Sequence, residues 1–251
     1  MSITYVEPRT NISPEDCNFY HAMDIPGLGE VGREWDLRDN IDNYLGNQDL
    51  TGKRVLDVGT ASGYLTFEME KRGGDMVSFD METGRQWNVV PHCKLSDSMD
   101  EMYENVVRGH NRLQNAYWYA HNAFNSKAKV FYGDIYNIPE ELGQFDVVFF
   151  GMILSHLRDP FQALYSASRL SKDKVIITNQ ARSGGKASDV IFLPSKDSTI
   201  YRAWWSFSDN ALIQMLGVLG FEVESIKRDQ YKCIEPEPGT RECTTFIARR
   251  V

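Results

Sequence analysis

Five short apolar runs, separated by stretches with helical periodicity, most constrain what this chain can fold into. Three of the five are nearly continuous in apolar residues, as expected of strands that are buried on both faces of a parallel sheet. Strands that alternate with helices are typical of an α/β domain, and 251 residues suffice for one such domain. The runs are RVLDVG (54–59), DMVSFD (75–80), KVFYGD (129–134), FDVVFFG (145–151) and KVIITN (174–179).

The segments between these runs carry the start and stop signals of helices. Residues 64–72 follow the first run and precede a pair of glycines, which are poor at extending a helix. Asp159 can cap a second helix, and a third begins near Ser208. We also expect a helix within 97–124 and, from residue 221 onward, two antiparallel strands. The sequence therefore predicts a parallel sheet that ends in antiparallel strands.

The composition excludes several functional classes. No apolar run reaches the ~20 residues that span a bilayer, and the N-terminus lacks a basic region followed by an apolar one, so we expect a cytoplasmic protein without a membrane partner. The net charge of −8 disfavours a polyanion such as tRNA, although a local basic patch would still permit nucleic-acid binding. None of the four cysteines has CxxC spacing and no histidine set has zinc-ligand spacing, so no metal is predicted.

A glycine loop, residues 57–63, joins the first strand to the first helix. Gly59 ends the strand where a side chain would collide with a ligand, and Gly63 lets the first helical turn approach closely. A dinucleotide fingerprint requires glycine at 59, 61 and 64, whereas this chain has Ala61 and Tyr64. The lysine and hydroxyl of a triphosphate-binding loop are also missing. The loop therefore favours a cofactor without phosphate, such as S-adenosylmethionine.

Acidic residues stand at the ends of the first three strands, where they can contact such a cofactor. Asp57 can accept a hydrogen bond from the cofactor ammonium, directly or through water. Asp80 can accept hydrogen bonds from the ribose hydroxyls. Asp134 can accept one from the adenine amino group, while Ile135 packs on the ring. Each acid alone could equally be a solvated turn residue, but three at successive strand ends favour a ligand.

Four motifs together resemble the class I methyltransferases that use S-adenosylmethionine, namely VLDVGTASGY, VSFDME, YGDIYNIP and FDVVFFGMILSHLRDP. Within that class, the chain is most similar to the branch that contains the tRNA wobble-uridine carboxymethyltransferase and its small-molecule-methylating relatives. NFYHAMDIPGLGEVGREWDLRDN looks like the first segment of that branch, and YRAWWSFSDNALIQMLGVLGFEVE looks like its paired-tryptophan region and final helix. The likeness covers residues 18–225 and departs at Ala61, where the commoner loop has glycine.

The resemblance implies a Rossmann-like α/β fold: a seven-stranded, mostly parallel sheet with an antiparallel C-terminal strand and helices on both faces. Residues 1–50 would form a helical and aromatic extension that covers the active site. Residues 51–251 would form the S-adenosylmethionine-binding domain, in which residues 181–207 are inserted as a cap over the substrate. The expected cofactor-binding residues are Arg38, Asp57, Gly59, Thr60, Ala61, Gly63, Asp80, Met81, Asp134, Ile135, Gly151 and Met152.

His156 is the candidate catalytic residue. Methyl transfer from a sulfonium is an in-line displacement, so the protein mainly aligns donor and acceptor. A histidine just beyond the fourth strand can remove the acceptor's proton. The alternative is a helix-packing histidine that donates to a backbone carbonyl. Tyr20 and His21 lie in the segment that the resemblance folds over the site, so substrate contact and structural packing both stay open for them.

Three further side chains have both a functional and a structural interpretation. Trp204 and Trp205 can form an aromatic wall for a flat substrate, or they can anchor the cap by hydrophobic packing. Arg38 can bind the cofactor carboxylate bidentately, or it can form a surface salt bridge with Asp36 or Asp39. The sequence alone does not decide between these roles.

The leading hypothesis is methyl transfer from S-adenosylmethionine to an oxygen or nitrogen atom of a small molecule, with S-adenosylhomocysteine as the product. A carboxylated cofactor would need basic residues near the transferred group, such as Arg202 or Lys196, and plain methyl transfer is favoured. Two alternatives stay open: a methyl- or carboxymethyl-transferring enzyme of the tRNA wobble uridine, and a binding scaffold that keeps the fold without turnover. The acceptor and the oligomeric state are not predicted.

Overall fold

The computed structural model describes residues 3–82, 89–91, 98–180, 182, 187–197, 199 and 202–251, so parts of the predicted cap lie outside the described residues. None of the helices in these residues has the length and apolar character needed to cross a membrane. The helices are α1 (Ile41–Tyr44), α2 (Tyr64–Lys71), α3 (Met99–Phe124), α4 (Pro160–Ser168) and α5 (Asp209–Val218). The strands are β1 (Met23–Ile25), β2 (Gly29–Val31), β3 (Trp35–Asp36), β4 (Arg54–Val58), β5 (Asp75–Met81), β6 (Lys129–Gly133), β7 (Phe145–Gly151), β8 (Ser171–Asn179), β9 (Val190–Phe192), β10 (Trp205–Phe207), β11 (Phe221–Cys233) and β12 (Gly239–Arg250).

The central sheet has the strand order β3-β11-β12-β8-β7-β4-β5-β6. The five strands from β8 to β6 run parallel to one another, and β12 pairs antiparallel with both β8 and β11. This order confirms the predicted Rossmann-like sheet with its antiparallel C-terminal strand. The sequence does not predict the short edge strand β3, which comes from the N-terminal extension and pairs antiparallel with the end of β11.

Apolar side chains of the central strands point alternately into two cores, one on each face of the sheet. Phe149 packs with residues of α2 and α3, whereas Phe150 packs with residues of α4 and α5. Both rings are fully buried, and burial of such a ring contributes about 1.5–3 kcal/mol. A strand that is covered on both faces needs apolar residues at every position, which explains the continuous apolar run in β7.

The main helices begin at the capping residues that the sequence offers. Ser98 opens α3 with a capping box, in which its hydroxyl accepts from the backbone N–H of Glu101 and the Glu101 carboxylate accepts from that of Ser98. Asp159 caps α4 by accepting from the N–H of Gln162 at 2.9 Å, and Ser208 caps α5. These contacts confirm the predicted helix starts.

The N-terminal extension is less helical than the sequence predicts. Its described part, residues 3–50, holds one short helix, α1, two 3₁₀ turns and the hairpin β1–β2. The chain then crosses the glycine loop, because the backbone N–H of Tyr20 donates to the hydroxyl of Ser62 at 3.1 Å. The backbone N–H of Asn18 donates to the carbonyl of Arg112 on α3 at 2.9 Å. These bonds hold the extension at the carboxyl edge of the parallel strands.

The described part of the cap contains the small hairpin β9–β10. The backbone N–H of Trp204 donates to the carbonyl of Ser155 at 2.8 Å. This bond ties the cap to the segment that follows β7. The cap and the extension therefore approach the same edge of the sheet from different parts of the chain.

Candidate active site

Two adjoining cavities open at the carboxyl edge of the sheet, where open α/β folds hold their ligands. The first cavity, of about 260 Å³, lies beside the ends of β5 and β6. The second cavity, of about 210 Å³, extends from the end of β7 to the N-terminal extension. Six residues line both cavities: Gly59, Ala61, His110, Leu113, Ile153 and His156.

The glycine loop turns sharply at the end of β4. Gly59, Ala61 and Gly63 all have left-handed backbone conformations, with φ of +83°, +50° and +88°. A Cβ at Gly59 would lie 2.9 Å from the side chain of Ile153, so both the conformation and the close approach require glycine there. Of these described residues, Gly59 and Ala61 line the cavities, whereas Gly63 lies behind them and begins α2.

The side chains of Asp57 and Thr60, two residues of the loop, belong to a buried polar network. The Asp57 Oδ2 accepts a hydrogen bond of 2.6 Å from the hydroxyl of Thr66, which also lies 2.8 Å from the hydroxyl of Thr60. Burial raises the pKa of Asp57 to about 6. Its Oδ1 is buried and has no hydrogen-bond partner among the described residues. A buried oxygen without a partner is suited to meet a cation of a ligand at this edge of the sheet. Asp57 is not among the described residues that line the cavities, so it would reach that cation through an intervening group.

Asp80 lines the first cavity at the end of β5. Its Oδ2 accepts from the backbone N–H of Ala61 at 2.9 Å, and its Oδ1 accepts from that of Met81 at 2.6 Å. Burial raises the pKa of Asp80, while nearby His110 acts in the opposite direction. Because each carboxylate oxygen has a second lone pair, the backbone fixes this side chain and leaves it able to accept ligand hydroxyls.

Three more of the predicted cofactor residues line the first cavity: Met81, Asp134 and Ile135. Asp134 caps a 3₁₀ turn, because its Oδ1 accepts from the backbone N–H of Tyr136 at 3.0 Å. Tyr136 lines the cavity as well. The cavity therefore combines an apolar side chain with carboxylates from two neighbouring strand ends, as expected for an adenine ring and its ribose.

His156 stands where the two cavities meet. Its Nδ1 lies 2.6 Å from the carbonyl oxygen of Arg202 in the cap. A carbonyl oxygen only accepts, so Nδ1 carries the proton and Nε2 of the neutral ring is an acceptor. Burial lowers the pKa of His156, which favours the neutral ring. His156 therefore makes the hydrogen bond to a backbone carbonyl that its structural interpretation expects. The same ring also lines both cavities, so the two interpretations of His156 are compatible.

Gly151 and Met152 line the second cavity at the end of β7. A Cβ at Gly151 would lie 2.5 Å from Cδ1 of Leu65, so a larger residue would require the Leu65 side chain to shift. Met152 has a φ of +56° and donates its backbone N–H to the carbonyl of Thr178 at 2.8 Å. The left-handed conformation costs a residue with a side chain about 1–2 kcal/mol, and such strain is common at functional sites.

Tyr20 and His21 also line the second cavity, and their rings meet edge to face with centroids 4.7 Å apart. Burial lowers the pKa of His21 to about 3, so this ring is neutral and a weak base. Its Nδ1 is buried and has no hydrogen-bond partner within the described residues. Burial also raises the pKa of the Tyr20 hydroxyl. These two residues are therefore better suited to contact a ligand than to exchange a proton with it.

Arg38 requires a correction. Its guanidinium lies 2.8 Å from the carboxylate of Asp36 and 3.2 Å from those of Asp24 and Glu30. Among the described residues, Arg38 is absent from the lining of both cavities. The structure thus favours the salt bridge over the predicted contact with the cofactor carboxylate, because three carboxylates of the extension already hold the guanidinium.

The predicted aromatic wall also requires a correction. The Trp205 Nε1 donates to the carbonyl of Arg158 at 3.2 Å, and the Arg158 guanidinium lies 5.4 Å from the ring of Trp204. Both indoles contact the ring of Phe192. Neither tryptophan is among the described residues that line the cavities. The rings therefore pack the cap, as the alternative interpretation proposed.

Sequence reasoning does not identify several polar side chains of the site. His110 on α3 lines both cavities, and its Nε2 donates to the carbonyl of Met81 at 3.1 Å. The helical spacing of Val106, His110 and Leu113 is a signal that could have found it. Glu34 of the extension lines the second cavity, and so does Arg202, which the sequence considers only for a carboxylated cofactor.

Comparison with known families identifies the family of the chain. A family model for a methyltransferase domain matches residues 32–226. The chain belongs to this methyltransferase family. The match contains the glycine loop, both strand-end carboxylates of the first cavity and His156, and it confirms the resemblance to methyltransferases that use S-adenosylmethionine.

Individual relatives are more distant. The tRNA U34 carboxymethyltransferase of Idiomarina loihiensis is 28% identical over 181 residues, which make up 71% of this chain and 48% of that protein. This chain thus spans about half the length of the curated relative it matches. The magnesium protoporphyrin IX methyltransferase of Synechocystis PCC 6803, with bound S-adenosylmethionine, has a TM-score of 0.53 at 12% identity and covers 86% of this chain and 78% of its own. A putative RNA methyltransferase of Pyrococcus horikoshii has a TM-score of 0.54 at 15% identity and covers 85% of each chain.

Family membership supports S-adenosylmethionine as the cofactor, and the residues of this chain fit it. Carboxylates stand beside apolar side chains in the first cavity, and the neighbouring buried Oδ1 of Asp57 has no hydrogen-bond partner in the part of the chain that the structure describes. The left-handed glycine loop brings its backbone to both cavities. Within the described residues, no group of three or more metal-ligating side chains could hold a metal ion.

Proposed function

We propose that this protein transfers a methyl group from S-adenosylmethionine to an oxygen or nitrogen atom of a small molecule, with His156 as the general base. The observation that carries the proposal is the position of His156, whose Nδ1 is fixed by the Arg202 carbonyl and whose ring lies between the two cavities. Its neutral ring presents Nε2 as the acceptor for a proton.

In this mechanism, the first cavity holds the adenosine half of the cofactor through Asp80, Asp134 and Ile135, and the edge formed by Gly59 and Gly151 accommodates the methionine half. S-adenosylmethionine supplies, when bound, an electrophilic methyl group on its sulfonium. The second cavity places the acceptor beside this edge. His156 takes the acceptor's proton on Nε2 as the acceptor atom gains the methyl group, and the imidazolium then returns the proton to solvent.

A small acceptor is supported by the size and the charge of the site. The second cavity measures about 210 Å³, and the N-terminal extension lines one side of it. The net charge of −8 opposes long-range attraction of a nucleic acid.

The match to a tRNA U34 carboxymethyltransferase favours a second candidate, transfer to a wobble uridine. Arg202, which lines the second cavity, would then face the carboxylate of a carboxylated cofactor. Retention on tRNA that falls steeply with salt would support this candidate over a small acceptor.

The role of His156 predicts a large loss of turnover in His156→Asn, whose amide can keep the bond to the Arg202 carbonyl but cannot accept the proton. With methyl-tritiated cofactor and a small-molecule cell extract as the source of acceptors, we expect label transfer to fall about 10²–10⁴-fold. Affinity for S-adenosylhomocysteine should change little. Asp197→Asn, an exposed substitution in the cap, serves as the control.

The same base predicts the pH dependence of turnover. Burial lowers the pKa of His156 below its usual 6.5, so the rate of wild type should fall as the pH drops through a value below 6.5. His156→Asn should lack this acidic limb. Undiminished label transfer in His156→Asn would remove the histidine from the mechanism. Cofactor binding without any labelled product would favour the scaffold alternative.

A further inference from the structure

Glu34 lines the second cavity and is not among the described residues that line the first. Its backbone N–H donates to the carbonyl of Tyr20 at 3.0 Å, and its own carbonyl accepts from the N–H of Ile234, which directly follows β11. Tyr20 in turn donates its own backbone N–H to the hydroxyl of Ser62 in the glycine loop at 3.1 Å, so Glu34 lies beside the segment that crosses this loop.

The carboxylate of Glu34 is half-buried and lacks a fixed partner. It makes no hydrogen bond or ion pair with any residue that the structure describes. Burial raises its pKa, and Arg202 and Arg33 oppose that effect without forming a salt bridge to it. A partly desolvated carboxylate is costly unless a donor or a cation meets it. The missing partner is therefore a feature that a ligand can supply.

Within the described residues, no other polar group of the second cavity forms a hydrogen bond or salt bridge with the Glu34 carboxylate, although Arg202 lies near enough to lower its pKa. His21 is neutral, because burial lowers the pKa of its ring to about 3. His156 uses its Nδ1–H on the Arg202 carbonyl. The bound ligand therefore meets the Glu34 carboxylate and the proton acceptor of His156, with the Arg202 guanidinium in the same cavity but in no salt bridge with Glu34.

We propose that Glu34 selects the methyl acceptor by binding a protonated amine that lies away from the methylated atom. The acceptor is then an amine-bearing small molecule, which reaches from Glu34 to His156. This assignment rests on the proposed function, because it places the reacting atom beside His156. The ammonium of the cofactor is the other source of the same chemistry, and the affinity for S-adenosylhomocysteine separates the two sources.

Three probes of nearly equal shape test this assignment: benzylamine, benzyl alcohol and benzoate. Their affinities are measured by ligand-observed NMR on the full chain saturated with S-adenosylhomocysteine. We expect wild type to prefer benzylamine, and Glu34→Gln to lose about tenfold or more in benzylamine affinity with little change for the alcohol. Glu235→Gln is the matched control, because this neighbouring glutamate is exposed and pairs with Arg33 at the surface.

The outcomes separate the possible roles of Glu34. Equal benzylamine affinity of wild type and Glu34→Gln, or no preference of wild type for the amine, overturns the assignment. A selective loss of S-adenosylhomocysteine affinity in Glu34→Gln overturns it as well, because Glu34 would then hold the cofactor. Either result leaves the proposed methyl transfer intact, since that function is tested by label transfer in His156→Asn.

Discussion

Gly63 begins α2 where a side chain would meet two aromatic rings. A Cβ at this position would lie 2.6 Å from the ring of Phe67 and 2.7 Å from that of Tyr117, in a backbone conformation with φ of +88°. Gly52 has a similar φ of +66° but open space around its Cβ position. Comparison of Gly52 with Gly63 therefore separates the free-energy cost of the left-handed conformation from the cost of the steric clash.

We expect Gly52→Ala to lower the free energy of unfolding by about 1–2 kcal/mol, because only the left-handed conformation is penalised. Gly63→Ala should cost about 1–3 kcal/mol more, because two buried rings must also move. Urea unfolding of both variants measures the difference. Equal losses of unfolding free energy would show that the two rings move without cost. Glycine would then be needed at 63 for its conformation alone.

At the scale of single residues, local sequence pattern explains why some site residues could be predicted from the sequence and others could not. Asp80 lies at the end of one recognisable strand and Asp134 directly follows another, so their position at the sheet edge is fixed by local pattern. Arg38 could not be assigned in this way, because Asp24 and Glu30 reach it only after the β1–β2 hairpin folds back. Glu34 is missed because it belongs to no periodic segment.

The N-terminal extension is an element whose strands are too short to show a pattern. β3 has two residues and pairs with the far end of β11, so only tertiary contact reveals it. Strands β4 and β7, in contrast, are buried on both faces and are recognisable as apolar runs. The role of the cap tryptophans could not be predicted for a similar reason. They contact Phe192 and Arg158 rather than a ligand, and only tertiary structure reveals these contacts.

Arg38 joins the hairpin β1–β2 to β3 through carboxylates from both. Arg38→Ala removes a three-carboxylate network, so we expect a loss of about 1 kcal/mol in the free energy of unfolding. Arg33→Ala removes only an exposed pair with Glu235 and should cost less than about 0.5 kcal/mol. Affinity for S-adenosylhomocysteine should be unchanged in both variants. A tenfold loss of that affinity in Arg38→Ala would restore its predicted role at the cofactor.

At the scale of the whole molecule, the site arises where the order of the parallel strands reverses. β4 lies between β5 and β7, and the chain leaves both β4 and β7 at the same edge. Open α/β sheets bind ligands at such a point, which is why the sheet edge that carries the cavities could be predicted from the sequence. The acceptor side could not, because it is assembled from the extension, α3 and the cap, which are far apart in the chain.

Calorimetric titration with S-adenosylhomocysteine tests the central claim most directly, because that claim is a cofactor held by Asp80 at this edge. We expect wild type to bind the ligand, and Asp80→Asn to lose about tenfold or more in affinity as a charged acceptor disappears. Asp75→Asn, at the exposed start of the same strand, should bind like wild type. Absence of binding to wild type at millimolar ligand, or equal affinities of wild type and Asp80→Asn, would contradict the account.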